Sequence, residues 1–264
     1  MLGLKIEDAI KYNENLKRYV YKKGDKLRID FKDKEALVEY NKTVLKVLFD
    51  LDIEFHKNGL IPTPINRYLF IKSTFETLKK LCIEKPKVLE IGTGHSAIIS
   101  LLIKKFYDAE VYATEVDEEF IDFAKRNIEK NKLDIKIINS KGKVIEGIKE
   151  IEGIKFDLII SYPPFYSKNS VASGRKFGGA LAKDIELIGG GKFGEEFSFK
   201  IIEEGINFLN KKGVIALMMP KKPEIRRKLI IKKMKDVDLN VEVDEIKTGN
   251  RIRYIIKGIK TKVE

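Results

Sequence analysis

The sequence of 264 residues has one cysteine, two histidines and no tryptophan, and these shortages exclude several kinds of site. Cys82 has no partner for an intrachain disulfide, which indicates a reducing compartment, and we interpret it as a small buried hydrophobic residue. His56 and His95 lie far apart, and no zinc-ligand spacing occurs, so no metal is expected. No apolar run approaches the length of a membrane span, and Met1 is not followed by a signal-peptide pattern. We therefore expect a cytoplasmic protein without a membrane partner.

Positive charge is what the chain has in excess. Lysine and arginine number 52 against 40 acidic residues, which gives a net charge of +12 and a pI near 9.4. That balance suits a polyanionic partner such as nucleic acid. A surface rich in lysine, glutamate and isoleucine, of the kind found in thermophile proteins, is the alternative explanation. Hydrophobic residues make up 43% of the chain, enough for one large α/β domain with an appendage.

The order of predicted elements indicates an α/β fold with a doubly wound, Rossmann-like sheet and a terminal antiparallel hairpin. Strands are predicted at 87–92, 110–116, 134–140, 156–162, 213–220, 240–246 and 252–259, and helices at 96–106, 118–131, 143–151, 195–210 and 223–236. Before Pro86, helices are predicted at 4–21, 34–51 and 66–83, with a short strand at 27–33. We place the domain boundary after residue 65, which separates a small, mainly helical extension at 1–65 from a larger domain at 66–264.

A glycine turn joins the first strand of the predicted sheet to its helix, in "VLEIGTGHSAII" (88–99). Gly92 and Gly94 allow the backbone to approach a ligand closely, and Glu115 ends the next strand, where an acid can hold the hydroxyls of a ribose. The turn is not a full dinucleotide signature, because Ala97 occupies the third glycine position. S-adenosylmethionine (AdoMet) has no pyrophosphate, so the short form favours it over a dinucleotide. A plain tight turn is the alternative.

The stretch "SYPPF" (161–165) ends a later buried strand. Each proline fixes φ near −65° and lacks an N–H, so the corner is rigid and leaves its carbonyl groups free to accept hydrogen bonds. The aromatic ring that follows offers a face on which a base could stack. Such a corner suits methylation of a planar, conjugated amine, because carbonyl groups polarise the amine while the ring holds its plane.

Seven motifs occur along the chain in this order: "DFKDKEAL" (30–37), "LIPTPINRY" (60–68), "GTG-S" (92–96), "ATEVD" (113–117), "PPF" (163–165), "GEEFSF" (194–199) and "TGNRIRY" (248–254). In these motifs and their order the chain resembles one family of AdoMet-dependent methyltransferases. That family contains the bacterial large-subunit rRNA adenine methyltransferase RlmF and the eukaryotic methyltransferase-like enzyme acting on spliceosomal small nuclear RNA. The resemblance runs from about residue 25 to the end of the chain.

The resemblance implies a role for particular residues of this chain. It implies that AdoMet is bound by Arg67, Gly92, Ser96 and Glu115, with Thr93 and Gly94 in the same turn. The catalytic motif corresponds to Tyr162, Pro163, Pro164 and Phe165. We interpret His95, beside the glycine turn, as a wall residue, since methylation of a neutral amine needs no base before transfer.

The chain departs from the family at Tyr162, where most adenine amine methyltransferases have asparagine or aspartate. An amide oxygen would accept a hydrogen bond from the adenine amine, whereas a phenol is too long to place its oxygen at the same point. Three explanations stay open: Tyr162 reaches over the base in a different role, the acceptor nucleotide differs, or activity is lost.

The resemblance further implies that the chain before the glycine turn, with the loop after PPF, forms a basic groove for RNA, so that 1–65 is an RNA-binding extension of a methyltransferase domain at 66–264. Individual RNA contacts are predicted from basic segments. "LKRYVYKK" (16–23) places Lys17 and Arg18 beside tyrosines, and an ordinary solvated helix end is the alternative. The long glycine-rich loop 166–194, which carries Arg175, Lys176, Lys183 and Lys192, is interpreted as a substrate-gating loop rather than a passive linker. The remaining candidates are Lys221, Lys222, Arg251 and Arg253, while the basic residues of the helix beyond Pro223 are interpreted as plain surface.

The sequence thus predicts an AdoMet-dependent RNA methyltransferase that modifies the exocyclic amine of an adenine in a structured RNA, either rRNA or a small RNA. A protein glutamine methyltransferase, which uses a similar proline corner, and a non-catalytic RNA-binding relative are the alternatives. The oligomeric state is open, with a monomer favoured.

Overall fold

The computed structural model describes residues 3–174, 182–249 and 251–261. Its strands are β1 (Val20–Lys23), β2 (Lys26–Ile29), β3 (Lys87–Ile91), β4 (Glu110–Glu115), β5 (Lys136–Asn139), β6 (Phe156–Ser161), β7 (Leu209–Pro220), β8 (Leu239–Thr248) and β9 (Arg251–Lys260). Seven of them form one sheet in the order β5-β4-β3-β6-β7-β9-β8. The first five of that order are parallel, and β9 and β8 close the sheet as an antiparallel pair. The predicted doubly wound sheet with a terminal hairpin is confirmed.

Nine α-helices lie in the described residues. They are α1 (Ile6–Tyr12), α2 (Lys34–Phe49), α3 (Pro64–Lys80), α4 (Ile98–Phe106), α5 (Glu118–Asn131), α6 (Val171–Gly174), α7 (Asp184–Leu187), α8 (Glu196–Phe208) and α9 (Glu224–Asp236). Local capping explains two of the starts: the side chains of Asp33 and Asp117 accept backbone N–H groups of the first turns of α2 and α5. None of the helices in the described residues has both the length and the hydrophobicity of a membrane span.

Both faces of the sheet are covered, as alternation along β7 shows. Val214, Ala216 and Met218 pack into the layer formed with α2 to α5. Ile215 and Leu217 point to the other face and pack into the layer that contains residues of α8 and α9. All five side chains are fully buried. A parallel strand covered on both faces reads as a continuous apolar run, which is why this element was predictable.

The predicted helix 4–21 is wrong, because the segment breaks at Asn13. Asn13 adopts an extended conformation (φ −139°) and caps a 3-10 helix, Glu14–Tyr19, by accepting the N–H of Asn15. A β-hairpin of β1 and β2 follows, with Gly24 at φ 60° in its turn. The apolar spacing in this segment builds a separate small cluster, whose buried members are Ala9, Leu16, Ile29 and Ala36.

Three smaller expectations also need correction. The helix predicted at 143–151 is only a single 3-10 turn, Lys149–Ile151, because Gly147 has a φ of 74°. Helix α3 begins at Pro64 rather than at residue 66, since proline is well suited to a first helical turn. Cys82 is exposed, not buried, in the turn after α3.

The first 65 residues contribute to two layers of packing. Val44, Leu45 and Phe49 of α2 lie in the same buried cluster as α3 and α4. Residues before α2 pack mainly in the small cluster around Leu16. The domain boundary after residue 65 stays a prediction.

Candidate active site

The site lies where the order of the strands reverses. The chain runs outward from β3 to β4 and β5, and then returns to β6 on the other side of β3. The loops that follow β3 and β6 therefore diverge at the carboxyl edge of the sheet and leave a crevice between them. The glycine turn follows β3 and the proline corner follows β6, so the fold brings both predicted motifs to this crevice.

The glycine turn has a conformation that only glycine adopts easily. Gly92 and Gly94 have φ values of 71° and 66°, and beyond each glycine and its two chain neighbours no atom lies within 4 Å of where a Cβ would stand. The N–H groups of Gly92 and Thr93 donate to the Thr114 carbonyl at 3.0 and 2.9 Å. The turn is thus anchored to β4 on one side and faces open space on the other, which suits a bound ligand.

Glu115 is held by backbone donors at the end of β4. Its Oε2 accepts the N–H of Gly94 at 2.9 Å, and its Oε1 accepts those of Val116 and Asp117 at 2.7 and 3.1 Å. Burial raises the pKa of this carboxyl above its ordinary value. A carboxylate accepts about four hydrogen bonds, so capacity is left for a ribose hydroxyl.

Glu90, a residue that the sequence reasoning missed, lies beneath the glycine turn. Its Oε2 accepts the hydroxyl of Thr93 at 2.8 Å and the N–H of Ser100 at 3.1 Å, together with the Ser100 hydroxyl. Burial raises its pKa to about 7. The sequence signal that could have indicated Glu90 is its position as the last acidic residue before the glycine turn. Within the described residues its Oε1 has no hydrogen bond, and the side chain lines the crevice.

Two cavities meet in the crevice. The first, of about 240 Å³, is lined by the glycine turn with Ser96, by Glu90 and Glu115, and by Pro164. The second, of about 360 Å³, is lined by residues that include Thr63, Asn66, Phe165, Tyr166, Arg251 and Arg253. Both are bounded by Leu60, Arg67, Tyr162, Pro163 and Glu186. A group in one cavity therefore faces a group in the other across the proline corner.

Arg67 stacks on the proline corner. Its guanidinium carbon lies 4.4 Å from the centroid of the Tyr162 ring. Among the described residues the guanidinium has no hydrogen-bond acceptor and no ion-pair partner. Burial lowers its pKa to about 10, so it is charged at neutral pH. Free N–H donors at the junction of the cavities fit the carboxylate of a bound amino-acid moiety.

Tyr162 is fixed on two sides. Arg253 Nε donates to its Oη at 3.0 Å, and its ring is nearly parallel to that of Phe165, with centroids 5.9 Å apart. The preceding Ser161 hydroxyl donates to the Ile91 carbonyl at 2.8 Å and ties the corner to β3. In the described chain no hydrogen bond reaches the Pro163 carbonyl, which leaves it available to an acceptor amine.

His95 has both ring nitrogens engaged. Its Nδ1 accepts the N–H of His56 at 3.1 Å, and its Nε2 donates to the Leu60 carbonyl at 3.0 Å. Burial lowers its pKa to about 4. These contacts agree with the interpretation of His95 as a wall residue.

The described part of the loop 166–194 covers the first cavity. Ile185, Glu186 and Ile188 line it, and both Glu186 oxygens lie 3.0 Å from the Leu60 N–H. Burial raises the pKa of Glu186 to about 7. Lys183 Nζ lies 2.7 Å from both Asp117 and Glu119 at the start of α5. Lys183, expected to approach a polyanion, is thus already paired, and the sequence reasoning missed Glu186.

The predicted RNA-contacting residues fall into three groups. Arg251 and Arg253 line the second cavity. Lys221 and Lys222 are exposed just after β7, and Lys17 and Arg18 are exposed on the N-terminal 3-10 helix, where Lys17 pairs with Glu14 at 2.9 Å. None of these four lines either cavity. Arg175 and Lys176 lie outside the described residues.

Comparison with known proteins identifies the family. A family described as RNA methyltransferase matches residues 5–256. The chain belongs to this RNA methyltransferase family. The expected family, its AdoMet-dependent chemistry and its Rossmann-like fold are confirmed, while the role of each site residue stays a prediction.

Three relatives illustrate the range of the similarity. A putative methyltransferase of Methanocaldococcus jannaschii is 91% identical over 260 residues, which is 98% of this chain and 100% of that protein. The U6 small nuclear RNA (adenine-(43)-N(6))-methyltransferase of Drosophila pseudoobscura is 27% identical, covering 94% of this chain and 86% of that protein. The human METTL16 catalytic domain, solved with the MAT2A 3′UTR hairpin 1, has a TM-score of 0.83 at 21% identity, covering 99% of this chain and 94% of the other.

Proposed function

We propose that this chain methylates the exocyclic amine of an adenine extruded from a structured RNA. The observation that carries the proposal is the wall of Arg67, Tyr162 and Pro163 that the two cavities share. One cavity has the groups for a methyl donor, and the other has an aromatic and basic lining that suits a flipped base.

The first cavity fits AdoMet by the chemistry of its lining. Glu115 would hold the ribose, the open glycine turn would lie against the nucleoside, and Arg67 would bind the carboxylate of the methionine moiety. When bound, AdoMet supplies an electrophilic methyl group on a sulfonium. Arg67 also lines the second cavity, so the same side chain fixes the donor and stacks on the acceptor's wall.

The second cavity fits a planar amine. Phe165 and Tyr162 present nearly parallel rings, and Pro163 presents a free carbonyl that can accept one amine hydrogen. Positioning and polarisation of the amine are the expected contributions of these residues. Arg253 holds the Tyr162 oxygen by donating to it, so the phenol proton points elsewhere and is available to a ring nitrogen of the base.

Adenine in structured RNA is favoured over other acceptors by three observations. The net charge of +12 suits RNA, the Drosophila relative is named for adenine N6 in a small nuclear RNA, and the human structure contains an RNA hairpin. We propose rRNA or a small RNA as target, within rRNA processing or RNA modification. We further propose that the protein acts in the cytoplasm as a monomer.

The test is a methylation assay with isotopically labelled AdoMet. In-vitro transcripts of rRNA and small RNAs, which carry no prior methylation, are incubated with the protein, digested and examined by mass spectrometry. N6-methyladenosine is the expected product. A protein extract treated in parallel tests the glutamine alternative, since label in protein alone would overturn the proposal. Absence of AdoMet binding by calorimetry would support the non-catalytic alternative.

A further inference from the structure

Arg226 is a buried cation beside the catalytic corner. It lies in the first turn of α9 and is 2% exposed. Its Nη1 donates to the Phe193 carbonyl at 3.0 Å and to the Phe165 carbonyl, and its Nη2 donates to the Lys222 carbonyl at 2.6 Å. These carbonyls belong to the proline corner, to the glycine-rich end of the loop and to the turn after β7. One side chain therefore joins three segments.

Arg226 is a buried charge whose hydrogen-bond partners, among the described residues, are backbone carbonyl groups. No carboxylate of the described residues lies within ion-pairing distance of it, and its buried Nε has no hydrogen-bond partner. Burial lowers its pKa to about 10, so it stays charged at neutral pH. A buried charge without a counterion is expensive. Its three hydrogen bonds to carbonyl groups offset part of this cost and fix the segments that carry those groups.

The geometry indicates what Arg226 fixes. Its guanidinium binds the Phe165 carbonyl and also lies 5.3 Å from the centroid of the Phe165 ring. The segment it joins to the corner fits tightly, because a Cβ on Gly189 would lie 2.3 Å from the Pro164 carbonyl oxygen. A Cβ on Gly194 would lie 2.0 Å from the Phe165 carbonyl oxygen. Arg226 thus binds the corner, and Gly189 and Gly194 allow the loop to pack closely against it.

We propose that Arg226 is a positioning residue for methyl transfer. It holds the ring and carbonyl of Phe165 and thereby sets the plane of the acceptor base relative to the donor, without touching either. The inference rests on the proposed function for the identity of the base. The location of Arg226 behind the corner, outside both sets of cavity-lining residues, separates its effect from cofactor binding.

Arg226→Lys and Arg226→Ala test this role. Lysine keeps the charge but has a single nitrogen, which cannot reproduce the spacing of Nη1 and Nη2, so we expect a loss of about 10- to 100-fold in single-turnover rate at saturating RNA and AdoMet. AdoMet affinity, measured by calorimetry, should stay within about twofold. Added guanidinium ion should restore part of the rate of Arg226→Ala, an effect that general destabilisation would not give.

The control is Lys257→Met, which removes another buried cation. Lys257 is 3% exposed and pairs with Asp244 at 2.8 Å near the far edge of the sheet. We expect it to lower the melting temperature and leave the single-turnover rate of the folded protein unchanged. An unchanged rate in Arg226→Lys would overturn the proposal. Loss of both AdoMet binding and a cooperative melting transition in Arg226→Lys would overturn it too, since Arg226 would then support the whole fold.

The two proposals fail separately. Rates are compared for whichever product the wild-type protein makes, so another acceptor overturns adenine methylation but leaves the comparison between Arg226 variants valid. Wild-type methylation of adenine with insensitive Arg226 variants refutes only the positioning role.

Discussion

At the scale of single residues, buried charged groups lie at two places around the crevice. Glu90 and Glu115 are held by hydroxyl and backbone donors at the glycine turn, whereas Arg67 and Arg226 flank the proline corner. We expect removal of Glu115 to affect AdoMet binding and removal of Arg226 to affect methyl transfer. The following predictions use that separation.

Replacing Glu115 by alanine should weaken AdoMet binding by about 1–3 kcal/mol, because ribose hydroxyls would lose a charged acceptor. Calorimetric titration measures this. Glu118→Ala, an exposed acid three residues later, is the control and should bind normally. Melting curves show whether the fold is destabilised when the three backbone N–H groups bound by Glu115 lose that acceptor. Wild-type affinity in Glu115→Ala would refute the ribose assignment.

Tyr162→Asn should keep or raise transfer to adenine. The shorter amide would place an oxygen where it can accept the amine hydrogen, next to the Pro163 carbonyl. Single-turnover methylation of the RNA substrate is the measurement. Tyr162→Phe keeps the ring beside Arg67 and loses the bond to Arg253, so it isolates the contribution of the hydroxyl. Abolished transfer in Tyr162→Asn would show that the tyrosine has an essential role of its own.

Glu90 should make the protein less stable as pH rises. Its pKa of about 7 in the folded state exceeds the ordinary glutamate value of 4.5, so between these pH values the native state binds more protons than the unfolded state. The free energy of unfolding contributed by this group is therefore greatest below pH 4.5 and falls until about pH 7. Glu90→Gln keeps an acceptor for Thr93 and Ser100 and should reduce this slope. Urea denaturation from about pH 5 to about pH 8 measures it; an unaltered slope contradicts the assignment.

At the scale of elements, hydrophobic periodicity predicted the buried strands, whose position depends on packing alone. It failed where a single residue interrupts the regular backbone. The strands β3, β4, β6 and β7 are buried apolar runs, and their bounds came within a few residues. The helix predicted over 143–151 failed because Val144, Ile145 and Ile148 are buried without helical backbone. A helical pattern and an irregular segment with the same buried residues look alike in sequence.

The site was predictable only in the parts that a local motif encodes. The glycine turn, Glu115 and the proline corner follow from short patterns at strand ends. Glu186 and Arg226 did not, because each acts through backbone groups that are distant in sequence: Leu60 for one, and Phe165 and Phe193 for the other. The basic run of α9 was interpreted as surface, which is wrong for Arg226. No local signal distinguishes a buried arginine from its exposed neighbours.

The segment around α7 should act as a cover that limits cofactor exchange. Lys183 joins it to α5 through Asp117 and Glu119. Lys183→Met should speed AdoMet dissociation by about two- to tenfold, as expected for two partly exposed ion pairs. Stopped-flow measurements at low and high salt check this, since salt should reduce the difference. Lys192→Met, in the same loop, is the control. Equal AdoMet dissociation rates in the wild type and both variants would contradict the role of Lys183 in holding this segment against α5.

At the scale of the whole molecule, the positive charge should strengthen RNA binding and leave AdoMet binding nearly unchanged. The carboxyl edge of the sheet carries the crevice, and Lys221 and Lys222 stand at that edge, just after β7. Lys211 and Lys212 lie near the start of the same strand, at the opposite edge, and are exposed too. The two pairs have equal charge and differ in their distance from the crevice, so they separate a specific RNA surface from general attraction.

We expect RNA affinity to fall steeply with salt, with a contribution of about −0.7 to −0.9 to the log–log slope for each phosphate contact. Removing Lys221 and Lys222 together should lower the magnitude of the slope by about 1 to 2. Removing Lys211 and Lys212 should change it little. Fluorescence anisotropy over a salt series provides the slopes, with AdoMet binding in the same buffers as a reference. Equal effects of the two pairs would mean that net charge alone attracts the RNA, and the RNA path would then have to be sought away from β7.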